Sequence, residues 1–93
     1  MKPVIEKIVN YIVKTKFPFF TDVMVREYET DYLSNNPQEY FYRVILISKE
    51  RITFEAKNAV TEIIEDTVKS VGIRSNIYIS YFSEKEWKGG YTP

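Results

Sequence analysis

Tyr40-Phe41-Tyr42-Arg43-Val44-Ile45-Leu46-Ile47 decides how this chain is read. The run is aromatic and β-branched, which fits a strand. Successive side chains of a strand point to opposite faces, so Tyr40, Tyr42, Val44 and Leu46 share one face. Phe41, Ile45 and Ile47 take the other, interrupted by Arg43. A sheet covered on one side alternates apolar with polar residues. This one is apolar on both, so its second face wants a cover as well.

Working outward, residues 39–48 read as a strand and residues 19–30 as the strand before it, with Phe19, Phe20, Val23, Met24, Val25 and Tyr28. Ser34-Asn35-Asn36-Pro37 is the strongest turn signal in the chain. The two strands are expected to pair as an antiparallel hairpin with a longish loop. Residues 3–16 read as a helix: Pro3 suits the first turn, Val4, Ile5, Ile8, Val9 and Ile12 form one stripe, and Pro18 stops it. Residues 50–71 read as a second helix with Ser48 as candidate N-cap and Gly72 as C′ residue. Its start is open, because Ile52, Thr53 and Phe54 also suit a strand. Residues 73–83 form the last strand.

The order α-β-β-α-β predicts a two-layer α+β domain. A three-stranded mixed sheet carries two helices on one face, with the last two strands parallel across a helical crossover. Residues 1–83 make one compact domain, and residues 84–93, with Gly89, Gly90 and Pro93, a flexible C-terminal tail. Type II KH domains share roughly this order of elements. Their Gly-x-x-Gly loop is missing, because Gly72, Gly89 and Gly90 never fall three residues apart.

The 93 residues contain no Cys and no His. That removes disulfides, thiolate or imidazole metal sites, and Ser-His-Asp or Cys-His nucleophiles. No catalytic, cofactor-binding or metal-ligating residue is expected. Two carboxylate groups, Glu27-Glu29-Asp31 and Glu62-Glu65-Asp66, lack any metal-binding motif and read as solvated faces. Net charge is zero, with 13 basic and 13 acidic side chains, which argues against a nucleic-acid footprint spread over the surface. With no leader-like or membrane-spanning run, the expected location is cytoplasmic, with no membrane partner.

If Val23, Val25, Val44, Leu46, Ile77 and Ile79 meet the helices, Met24, Arg26, Tyr28, Phe41, Arg43, Ile45, Ile47, Tyr78 and Phe82 lie on the opposite face. At about 100 Å² each, the apolar members reach or exceed the roughly 300–600 Å² of a monomer's usual largest patch. The expectation is a non-enzymatic assembly protein. Its interface would hold Met24, Tyr28, Phe41, Arg43, Ile45, Ile47, Tyr78 and Phe82, closing as a homodimer or on another protein. Two alternatives stand beside it. The tail folds back with Trp87 and Tyr91 as cover, or the face binds RNA or single-stranded nucleic acid by stacking bases on Tyr28, Phe41, Tyr78 and Phe82. Trp87 and Tyr91 otherwise form an aromatic hook for an outside partner.

Overall fold

The computed structural model of the chain describes residues 1–30 and 39–89. The Ser34–Pro37 turn and Tyr91 lie outside them. The elements run α1 (Lys2–Lys16), β1 (Phe20–Thr30), β2 (Glu39–Ser48), α2 (Phe54–Ser70), β3 (Asn76–Ser83) and α3 (Glu84–Lys88). The sheet order is β1-β2-β3, with β1 antiparallel and β3 parallel to β2. The α+β class and the three-stranded mixed sheet are as the sequence predicts. None of the described helices is long and apolar enough to cross a membrane.

α1 and α2 lie on one face of the sheet and supply its main core. α1 buries Ile5, Val9, Ile12 and Val13, and α2 buries Val60, Ile64 and Val68. They close over Val25, Tyr42, Val44 and Leu46. Val23, Ile77, Ile79 and Tyr81 pack at the margin. Tyr42, Val44 and Leu46 of β2 therefore face the helices, as strand alternation requires.

The start of α2 corrects the sequence reading. Ser48 ends β2 and is buried, and its hydroxyl donates to the Glu50 carbonyl instead of capping a helix. The N-cap is Thr53, whose hydroxyl accepts from the Ala56 N–H at 3.1 Å. Phe54 is the first helical residue, leaving Ile52 and Thr53 as connection. At the other end Gly72 takes φ +86°, the left-handed conformation that suits glycine. Its N–H bonds the Lys69 carbonyl at 3.0 Å, and the Ile73 N–H bonds the Val68 carbonyl at 3.2 Å. This is a Schellman closure, with Val68 and Ile73 in the same buried cluster. β3 starts at Asn76, after Ile73 has been used in the core.

Tyr81 ties β3 to α2. Its hydroxyl donates to the Lys57 carbonyl at 3.0 Å and, with that proton committed, accepts from the Thr61 hydroxyl at 2.7 Å. Burial raises the phenol pKa above its ordinary value; the Thr61 hydrogen bond lowers it in part, and nearby Glu65 raises it.

Residues 84–88, read from sequence as the start of a tail, form α3 and pack against β3 and β2. Ser83 and Glu86 build a capping box. The Ser83 hydroxyl accepts from the Glu86 N–H at 3.1 Å, and the Glu86 carboxylate accepts from the Ser83 N–H at 3.0 Å. The Ser83 N–H and then its hydroxyl hold the Glu86 carboxyl below its ordinary pKa, with smaller help from Arg51 and Lys57.

Candidate ligand-binding face

Strand register arranges the outer face of the sheet, away from α1 and α2, in four rows. Across β1, β2 and β3 these are Tyr28–Phe41–Asn76, Arg26–Arg43–Tyr78, Met24–Ile45–Ser80 and Asp22–Ile47–Phe82. The last two rows are proximal to α3 and the first two are distal.

α3 closes the proximal half. Ile45 is 0% and Ile47 3% exposed, although neither belongs to the cluster under α1 and α2. Trp87 reaches back over the sheet, its ring centroid 5.5 Å from that of Phe82. The Arg26 guanidinium lies 6.0 Å from the centre of the Trp87 ring, a cation–π geometry. An ion pair between Arg51 and Glu86 at 3.7 Å adds little, because both side chains are well exposed.

The distal half stays accessible and is lined by rings. Tyr28 and Phe41 stack at 5.0 Å and 14°. Phe41 meets Tyr78 edge-on at 5.5 Å and 87°. Tyr28 and Phe41 are half-buried by this packing, whereas Tyr78 is 56% exposed. Tyr78 also borders a surface groove of about 550 Å³ between the end of α2 and the start of β3, with Lys69 and Arg74 on its wall.

Two arginines sit in the middle of this surface. Arg26 and Arg43 are directly opposite on neighbouring antiparallel strands. Such residues have Cβ atoms about 5 Å apart, and like charges there repel. Arg43 Nε donates to the Ser80 hydroxyl at 3.1 Å, which turns the guanidinium toward β3 and leaves its terminal amino groups free to fork onto an acceptor. Among the described residues, neither arginine has a carboxylate within ion-pairing distance.

The structure thus divides the residues expected to form an interface. Tyr28, Phe41, Arg43 and Tyr78 lie together in the accessible half. Ile45 and Ile47 lie buried beside α3, with Met24 and Phe82 half-buried in the same rows. Trp87 packs onto Phe82. Among the described residues no three His, Cys, Asp or Glu side chains are placed to share a metal ion. Asp31 lies outside the described residues. Sequence reasoning put Arg26 on this face but could not set it opposite Arg43, because the hairpin register depends on a loop of uncertain turn type. It missed α3, whose signal was Ser83-Glu84-Lys85-Glu86, a capping-box spacing.

No protein-family model matches the chain, and no curated protein matches it. A solved structure of similar shape is titled an organic hydroperoxide resistance protein OsmC, predicted redox protein and regulator of sulfide bond formation, from Legionella pneumophila. It is 14% identical with a TM-score of 0.48, and the match covers 88% of this chain. The chain spans 61% of the length of that structure. The likeness is one of overall shape and gives no residue here a role. The expectation of an assembly protein self-associating through an open apolar face is corrected. α3 covers the aliphatic centre of that face within the single chain.

Proposed function

We propose that the chain is a binding module and that its ligand is an oxyanion of the phosphate or phosphate-ester type, held between Arg26 and Arg43. The observation that carries this reading is the directly opposed pair of arginines with no ion-paired carboxylate among the described residues. An anion that bridges the two guanidiniums, one turned toward β3 and one lying over Trp87, offsets the repulsion of the opposed pair with charge-assisted contacts. The ring-lined surroundings, Tyr28, Phe41 and Trp87, exclude water on several sides and strengthen those contacts. Binding rather than catalysis is supported by the composition, because without Cys or His no thiol step or imidazole proton shuttle can be built from these residues.

The test is thermal unfolding in inorganic phosphate against chloride at matched ionic strength. For a dissociation constant of about 1 mM, phosphate at about 10 mM adds about 1.4 kcal/mol. In a domain of this size that raises Tm by roughly 5–10 °C. Arg43→Gln removes the gain and, relieved of like-charge repulsion, is at least as stable as the parent in chloride. Equal Tm in both salts for the parent refutes the reading.

A further inference from the structure

We infer that the oxyanion belongs to a ligand with one flat ring, a mononucleotide-class phosphate ester, whose ring stacks on Tyr78 while its phosphate sits at Arg26 and Arg43. The inference rests on the anion site proposed above and extends it by a ring subsite.

Most aromatic faces on this surface are already spent on one another. Phe82 is in contact with Trp87. Tyr28 and Phe41 stack on each other at 5.0 Å, so each gives one face to its neighbour. Tyr78 is different. It is 56% exposed, it adjoins Phe41 at 87°, and it stands beside Arg43 in the parallel register. Neighbouring strands lie about 4.8 Å apart, which makes the exposed Tyr78 ring an immediate neighbour of the Arg43 guanidinium. The accessible area is two rows deep, roughly 7 Å along strands that rise about 3.3 Å per residue. One ring and one phosphate fill it. A polymer track needs successive stacking rings and a basic groove, whereas here the arginine pair stands on a chain of zero net charge.

Titration calorimetry of the full chain with AMP, adenosine, inorganic phosphate and the oligonucleotide dA10 tests this. AMP should bind about tenfold tighter than phosphate, since stacking one base on an aromatic ring is worth roughly that or more. Tyr78→Ala should reduce AMP to the phosphate level and leave phosphate unchanged. Tyr78 is exposed, so this variant keeps the core, and Tyr78→Phe should restore the AMP advantage. AMP binding no tighter than phosphate overturns the ring subsite and leaves the anion site standing. No binding of either removes both. If dA10 binds more than tenfold tighter than AMP, the ligand is a strand and the single-ring assignment is wrong.

Discussion

Replacing Trp87 with alanine removes the side chain with which α3 closes the proximal half of the outer face. Trp87 is half-buried, so about 100 Å² of apolar surface is lost from contact, worth on the order of 2.5 kcal/mol. The ring pair with Phe82 adds about 0.5–1.5 kcal/mol, and the Arg26 guanidinium about 0.5 kcal/mol. Partial collapse of α3 onto the gap returns some of this, leaving a net loss of about 2–4 kcal/mol. Domains of this size have a total stability of about 5–14 kcal/mol. The loss therefore lowers Tm by roughly 10–25 °C in a circular-dichroism melt. Ile45 and Ile47 become wettable in the folded state, so a dye that binds exposed apolar surface should brighten before the melt begins. A variant that melts within about 2 °C of the parent and binds no dye refutes the view that α3 is the cover of this face.

Four further outcomes follow from the same geometry. Tyr81→Phe breaks the bridge to Lys57 and Thr61 and should cost about 1–2 kcal/mol, read as a lower urea midpoint at unchanged slope. Because burial raises the Tyr81 pKa in the folded chain, its contribution is complete below the unfolded value of 10.0. It is lost as pH climbs through the folded value, so Tm should fall more steeply above pH 10.0 for the parent than for Tyr81→Phe. Gly72→Ala forces a side chain into φ +86° and should cost about 1 kcal/mol or more, although nothing stands within 4 Å of the new methyl group. The depressed Glu86 carboxyl stabilises α3 above its unfolded value of 4.5 and loses that effect as pH falls through the folded value. Trp87 fluorescence should therefore report α3 loosening in acid, and Glu86→Gln should remove the transition.

Much of the architecture was legible because local signals agreed with the tertiary demand. The alternation in Tyr40–Ile47 placed Val44 and Leu46 opposite Ile45 correctly, and the Schellman glycine at position 72 marked the end of α2. The start of α2 was not legible, since Ile52, Thr53 and Phe54 suit a strand by propensity and only the Thr53 cap settles them. α3 escaped because five residues carry no periodicity, and two glycines nearby read as mobility although the capping box was present. The arginine pair depended on register, which slips by one residue without any change in composition and would then turn every side chain over.

The parallel pairing of β3 has a consequence for how the chain reaches this state. β1 and β2 zip from partners as near as Thr30 and Glu39, a separation of 9. β2 and β3 hold a constant offset of 35, from Phe41 with Asn76 to Ser48 with Ser83, so no pair in that ladder is local. Closing the longer loop costs about 1 kcal/mol more in chain entropy before any contact offsets it. Whenever the hairpin pairs before β3 docks, β2 is an apolar strand with one bare hydrogen-bonding edge and neither face fully covered. Such an intermediate pairs with its own kind. Refolding yield should fall with protein concentration even though the finished molecule keeps that same strand in the middle of its sheet.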